Sequence, residues 1–169
     1  MAVIDSKVNL TERIFSGLRE LKTPSLMLNI LAFNLALAVI IAPIRNDFIY
    51  TIHANFLPFD SLNEELLVVL FLAPLIETVL YQYAIIDVSL YLLKLIFKKE
   101  LIIVSIILSA ISYSLIHLYD YVYMIQMVIA GFSYSVFYVV VKQKNRNALL
   151  YSLVLHILCN ILMFGLKHI

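Results

Sequence analysis

Four polar side chains of the kinds that enzymes use in catalysis lie inside apolar segments of this chain. Glu77 stands within the apolar stretch 66–81, and His117, His156 and Asn160 stand in other apolar segments. An ionisable group at the centre of a membrane helix costs about 2.5–3.5 kcal/mol on insertion scales, so such residues usually have a function. His156 and Asn160 are four residues apart, so in a helix their side chains project from the same face. We therefore interpret the four residues as one candidate functional cluster.

Three chemistries fit this cluster. In the first, Glu77 is a general base that removes a proton from water, His117 orients that water, and His156 with Asn160 stabilises the oxyanion formed at an amide carbonyl. In the second, Glu77, His117 and His156 are zinc ligands with water as the fourth; the sequence has no H-E-x-x-H motif, and Cys159 is on a different face from His156. In the third, the same residues form a proton or ion pathway without covalent chemistry.

The composition identifies the class of protein that must hold these residues. Of the 169 residues, 63% are hydrophobic and 14% are charged, whereas soluble domains average about 45–50% apolar and about 25% charged residues. The chain is therefore predicted to be a membrane protein. A net charge of +1 with no basic stripe argues against a nucleic-acid partner. Cys159 is the one cysteine, so an internal disulfide is excluded.

The apolar segments predict an all-α bundle of about five membrane-spanning helices. The predicted spans are residues 25–42, a long helix over 62–97, and residues 101–118, 121–141 and 148–166. Asp60 or Ser61 is expected to cap the long helix. This helix is too long for one upright span, so we expect tilt, a kink near Pro74, or a break beyond Tyr83. A polar loop covers 43–61, and Tyr119-Asp120 forms a short turn.

The basic residues give the orientation of this bundle. Ten of the twelve Lys and Arg residues precede the first span or lie between the second and third or the fourth and fifth spans. The positive-inside rule then places the N-terminus in the cytoplasm and the C-terminus outside. Residues 1–24, in which Ile14, Leu18 and Leu21 share a helical face, form either a helix in the membrane interface or a frayed cytoplasmic tail.

The other intramembrane polar residues have simpler interpretations. Asn34 and Gln126 are predicted to be hydrogen-bond partners between helices, each worth roughly 0.6–2 kcal/mol. Asp87 is expected near the cytoplasmic interface, where it is solvated or faces Lys94.

Several short motifs resemble those of the CAAX-protease and bacteriocin-processing family of intramembrane proteases. The stretch 73–82, A-P-L-I-E-T-V-L-Y-Q, is similar to the family's first motif, an apolar run followed by E-E-x-x-x-R. Tyr113 to His117 is similar to F-x-x-x-H, Gly131 begins a stretch like the family's glycine-containing helix, and His156 with Asn160 matches H-x-x-x-N. The order and spacing agree over roughly residues 62–168. We therefore divide the chain into residues 1–61 and a protease-like core at 62–169.

The resemblance implies the first of the three chemistries, and this mechanism needs no cofactor. Glu77 would activate water with His117 as its partner, and His156 and Asn160 would form the oxyanion site. The implied substrate is a small secreted or lipidated peptide, and a chain this short fits the bacterial members best. The resemblance also leaves open a catalytically inactive relative that acts in bacteriocin self-immunity or as a membrane scaffold.

Two positions depart from the family pattern, because Thr78 replaces the second acid and Gln82 replaces the arginine. They have the four-residue spacing of a helical ion pair, so we infer that the pair was replaced as a unit. Restoring Thr78→Glu together with Gln82→Arg should then be tolerated, whereas either change alone strands a buried charge at a cost of about 3–5 kcal/mol.

The predicted spans place His117 toward the outer end of its helix and Glu77 near the middle of its own. These two can meet only if the third span is sunk in the membrane, or if the turn that follows it lies below the outer surface.

Overall fold

The computed structural model describes residues 10–45, 59–117 and 121–167, and this part of the chain is all-helical. The helices are α1 (Leu10–Glu20), α2 (Thr23–Ile41), α3 (Leu62–Phe97), α4 (Ile102–Leu115), α5 (Tyr121–Gln143) and α6 (Ala148–Lys167). A short 3-10 turn, Ala42–Arg45, follows α2. In the described residues, α2, α3, α5 and α6 are long and apolar enough to cross a membrane, and α4 is a shorter apolar helix. The predicted multi-spanning helical bundle is therefore confirmed. Most of the predicted polar loop, and the Tyr119-Asp120 turn, lie outside the described residues.

Helix α5 is the centre of the bundle. It packs against α2, α4 and α6, and residues 137–141 are all buried. Asn34 on α2 donates its Nδ2 hydrogen to the Ser133 hydroxyl on α5 over 2.9 Å, which confirms the predicted bond between helices. Gln126 is buried as well. The outer helices instead present large apolar side chains such as Phe33 and Phe71 on the surface, as lipid-facing helices require.

Helix α3 begins at the predicted cap. Ser61 has extended backbone angles, and its hydroxyl accepts a hydrogen bond from the backbone N–H of Glu64 at 3.2 Å. The Glu64 carboxylate reaches back to accept the backbone N–H of Asp60 at 2.9 Å. Ser61 thus satisfies one of the N–H groups that a helix start leaves unpaired, the Glu64 carboxylate bonds to the residue before the cap, and the cap is Ser61 rather than Asp60.

Of the three alternatives for α3, tilt, a kink near Pro74 or a break beyond Tyr83, the break is wrong, because the helix is continuous over 36 residues. It contains two wider π-helical segments, Val68–Leu72 and Thr78–Ile85, on either side of the α-helical turn Ala73–Glu77. The ring of Pro74 would clash with the carbonyl four residues earlier in a regular α-helix. The wider turn before it relieves that clash, so the chain continues as a helix.

The sequence left Asp87 either solvated or facing Lys94, and the second of these alternatives is wrong. Its Oδ1 lies 2.6 Å from Nζ of Lys142 at the end of α5 and accepts a hydrogen bond from the Tyr138 hydroxyl at 3.1 Å. Lys94 is about 10 Å further along the helix axis and bonds to Glu100 instead, at 2.7 Å. This hydrogen bond, together with the positive charge of Lys94, lowers the pKa of the Glu100 carboxyl.

Residues 10–20, for which a frayed tail was one interpretation, form the amphipathic helix α1. Phe15 is buried against the bundle, whereas Leu10 and Ile14 are exposed. Helix α1 contacts α5, and α2 begins three residues after α1 ends. The structure therefore agrees with the interpretation of this segment as a helix with one apolar side.

Candidate active site

Glu77 ends the α-helical turn between the two π segments of α3. Ile76 beside it points outward and is 56% exposed, whereas the Glu77 side chain is 15% exposed and Thr78 is completely buried. Helix α3 thus has a lipid-facing side and a polar side that faces the bundle. The carboxylate lies on the inner side, where other helices can reach it.

His117 follows the end of α4, and its own backbone and side chain terminate that helix. Its backbone N–H donates to the Ser114 carbonyl at 2.9 Å, and its Nδ1 lies 2.9 Å from the Tyr113 carbonyl. Because a carbonyl oxygen can only accept, Nδ1 must carry a hydrogen and donate it. When the ring is neutral, Nε2 is therefore an acceptor, and this atom lies on the side of Glu77.

The short α4 explains how His117 reaches the carboxylate. Its 14 residues extend about 21 Å, whereas the apolar core of a membrane is about 30 Å thick. A helix that enters at one interface therefore ends inside the membrane. A third span of this length fits the sunken-span alternative for how His117 and Glu77 meet.

His156 is fixed from both sides of its ring. Its Nδ1 lies 3.2 Å from the Thr78 hydroxyl, and its Nε2 lies 3.4 Å from the Tyr113 hydroxyl. Its ring packs against the Tyr134 ring with 4.9 Å between centroids. These contacts come from α3, α4 and α5, so His156 on α6 joins all four helices around the carboxylate.

The structure brings Glu77, His117 and His156 together. Oε1 of Glu77 lies 3.9 Å from Nε2 of His117, and Oε2 lies 3.4 Å from Nε2 of His156. The first distance is too long for a direct hydrogen bond. A single group placed between the two atoms could bond to both.

Asn160 is engaged elsewhere, one turn beyond His156. Its Nδ2 donates to the backbone carbonyl of Val69 at 2.8 Å. In the first π segment the N–H of Ala73 bonds to the Val68 carbonyl, five residues back. The next donor in that register would be the N–H of residue 74, and proline has none. The Asn160 amide therefore supplies the donor that Pro74 cannot give to Val69.

A side chain from another helix also donates a hydrogen bond to a carbonyl of the second π segment, Thr78–Ile85. The Ser109 hydroxyl on α4 donates to the Tyr81 carbonyl at 2.8 Å and also lies 2.7 Å from the Ser135 hydroxyl on α5. Helices α4 and α6 thus each satisfy one carbonyl of the widened turns in α3. The unusual geometry around Glu77 is held by the neighbouring helices and not by α3 alone.

Thr78 and Gln82, the two departures from the family pattern, form no pair with each other. Thr78 contacts His156, as described above. Gln82 is 1% exposed, and neither its amide oxygen nor its amide nitrogen finds a hydrogen-bond partner among the described residues. Whether the original ion pair was lost as a unit therefore stays a prediction.

Tyr113 is the residue that sequence reasoning missed. It was noted only as a substitute for the phenylalanine of a motif, yet its hydroxyl interacts with Glu77 as well as His156. Its ring packs against the His117 ring with 4.8 Å between centroids. The four-residue spacing from Tyr113 to His117 was the available signal, because it places both on one helical face.

The zinc interpretation finds little support in this geometry. Within residues 10–45, 59–117 and 121–167, no group of three His, Cys, Asp or Glu side chains is arranged to hold a metal ion.

The chain matches the model of a known protein family. The model of the family described as type II CAAX prenyl endopeptidase Rce1-like matches residues 61–162, which is more than half of the chain. A search of curated proteins and a search of solved structures gave no match. The matched range contains Glu77, His117, His156 and Asn160.

Proposed function

The chain belongs to the Rce1-like family of type II CAAX prenyl endopeptidases, and we propose that it hydrolyses a peptide bond inside the membrane with a water molecule activated by Glu77. The substrate we propose is a small secreted or lipidated peptide. The observation that carries this proposal is the convergence of one carboxylate and two imidazoles from three helices, with distances of 3.4 and 3.9 Å to the carboxylate oxygens.

The pairing of Glu77 with His117 suits the activation of water. His117 donates Nδ1–H to the Tyr113 carbonyl, so its Nε2 is an acceptor that faces an acceptor oxygen of Glu77. A water molecule between them can donate one hydrogen to each. Such a water has its lone pairs directed away from both groups, ready to attack a carbonyl carbon.

The opposite side of the carboxylate offers hydrogen-bond donors for an oxyanion. If the Thr78 hydroxyl donates to Nδ1 of His156, the ring carries its hydrogen on Nε2, close to the Tyr113 hydroxyl. These two donors can stabilise the oxygen of a tetrahedral intermediate, where one such donor is worth about 3–4 kcal/mol. We assign Tyr113 to this role in place of Asn160, whose amide hydrogen serves Val69.

In the proposed reaction, Glu77 alone accepts and returns the transferred proton. The water oxygen forms a bond to the carbonyl carbon while one water hydrogen moves to the carboxylate. The protonated Glu77 then gives that hydrogen to the amide nitrogen as the C–N bond breaks. The products are a carboxylic acid and an amine, and Glu77 returns to its initial state.

The test is peptide cleavage by the purified chain in liposomes, measured by mass spectrometry on matched lipidated and unlipidated peptides. We expect Glu77→Gln to lower the rate at least about 1,000-fold, since it removes the base. Glu65→Gln, the same chemical change in the first turn of α3, should leave the rate unchanged. Cleavage by Glu77→Gln at the wild-type rate would rule out the mechanism.

The alternative function is binding without catalysis, as in a self-immunity or scaffold protein. Thr78 and Gln82 favour it, because they replace the charged pair of the family motif. This alternative predicts that the wild type binds the peptides but leaves them intact, and that Glu77→Gln binds them equally well.

A further inference from the structure

A basic cleft of about 430 Å³ lies at one end of the bundle, where the end of α1, the start of α2 and the turn between α5 and α6 meet. Arg19, Lys22, Lys144 and Arg146 line it, together with Tyr151. The residues that line the cleft include no Asp or Glu. These residues belong to none of the groups around Glu77, so the cleft is separate from the candidate active site.

The cations of this cleft are not neutralised within the described part of the chain. The ion pairs found there do not include Arg19, Lys22 or Arg146. Lys144 donates to the backbone carbonyl of Leu21, so it holds the α5–α6 turn against the junction of α1 and α2. Four like charges from three segments repel one another, and an anion in the cleft would relieve that repulsion.

The cleft lies where the phosphates of a membrane are expected. The spanning helix α2 starts at Thr23, directly beside the cleft, and α1 precedes it with an apolar outer side that suits the interface. Tyr151 is half-buried in the first turn of α6, and tyrosine is enriched at this depth. A phospholipid whose phosphate is bound here would have its acyl chains beside the apolar surfaces of α1 and α2.

We propose that this cleft binds the phosphate of an anionic phospholipid and that the lipid fixes α1 to the bundle. Arginine is suited to this ligand, because its planar fork can donate two hydrogen bonds to one phosphate. Arg19 and Arg146 stand on different segments of the cleft, so a single phosphate can connect α1 to the α5–α6 turn. The first turn of α2, whose N-cap Lys22 gives no side-chain hydrogen bond, adds further positive potential.

The experiment is a lipid titration of the full chain in neutral detergent, followed by native mass spectrometry. We expect phosphatidylglycerol to bind more tightly than phosphatidylcholine. The variant Arg19→Gln with Lys22→Gln and Arg146→Gln should weaken phosphatidylglycerol binding by at least about tenfold, given the usual contribution of each basic residue near anionic lipid.

The matched control removes three cations from the same end of the bundle but outside the cleft, with Arg13→Gln, Lys98→Gln and Lys99→Gln. It should keep the wild-type preference for phosphatidylglycerol. An equal loss in both triple variants would overturn the proposal, since general surface charge would then explain the binding. Arg146→Gln alone, in an exposed turn, provides a second test if the triple variant fails to fold.

Competition with a soluble phosphate ester shows whether the cleft binds a lipid phosphate or a free phosphate. Glycerol 1-phosphate should compete only at concentrations about 100-fold or more above those of the lipid, because it lacks the acyl chains that bury apolar surface. Competition at equal concentrations would show that the cleft takes a free phosphate and would overturn the lipid proposal.

Discussion

The Thr78 hydroxyl lies 3.2 Å from Nδ1 of His156, although the two residues are 78 positions apart. Thr78 occupies the position where the related motif has its second acid, so the departure from the pattern contacts the candidate site directly. A hydroxyl at this point can donate to Nδ1 and thereby leave the ring hydrogen on Nε2. The substitution therefore preserves a means of setting the His156 tautomer.

Thr78→Val tests this relationship, because it removes the hydroxyl and keeps the branched shape. We expect kcat to fall about 3- to 10-fold, which corresponds to one hydrogen bond of about 0.5–1.5 kcal/mol, with little change in KM. Thr78→Ser should restore most of the rate. Nitrogen NMR of the His156 ring should show a mixture of tautomers in the valine variant. An unchanged tautomer and a wild-type rate would show that the contact has no role.

Gln82→Leu should stabilise the protein. The Gln82 amide is buried with neither polar atom paired among the described residues, and an unsatisfied buried group costs about 1–3 kcal/mol. Gln126→Leu is the control, since Gln126 is also buried but does interact with other groups. We expect the thermal unfolding midpoint to rise for the first variant and fall for the second. A fall for both would mean that the Gln82 amide is satisfied in the membrane.

Gly131→Ala should disturb the site through Tyr113. A Cβ at residue 131 would lie 2.9 Å from Cδ1 of Tyr113 and 3.2 Å from Cα of Ala110, whose backbone cannot easily move. Overpacking of this kind costs about 1–3 kcal/mol, and the displaced ring contacts both histidines. We expect lower stability and, if the whole cost falls on the transition state, cleavage that is about 5- to 150-fold slower, since about 1.4 kcal/mol corresponds to a factor of ten. Gly165→Ala, with nothing within 4 Å of its Cβ, should keep the wild-type rate.

The sequence predicted the features that depend on local pattern. The spans followed from apolar length, a cap at Asp60 or Ser61 from residue type, and the common face of His156 and Asn160 from their spacing. The contact of Asp87 with Lys142 was not predicted, because it crosses from α3 to α5 and depends on how those helices pack. The π segments could not be predicted for the same reason, since carbonyls in them accept hydrogen bonds from Ser109 and Asn160 on other helices.

Asn160 has two possible roles: it donates to the Val69 carbonyl in place of the missing N–H of Pro74 and so positions Glu77, or it stabilises the oxyanion. Two substitutions distinguish these roles. Asn160→Ala should lower both stability and cleavage, since it leaves the Val69 carbonyl without its 2.8 Å partner, at a cost of about 1–3 kcal/mol. Pro74→Ala restores a backbone N–H at that point. If Asn160 acts by holding Val69, the double variant should recover stability and rate relative to Asn160→Ala, with Pro74→Ala alone as the reference. If Asn160 instead stabilises the oxyanion, Pro74→Ala should leave the loss of rate unchanged.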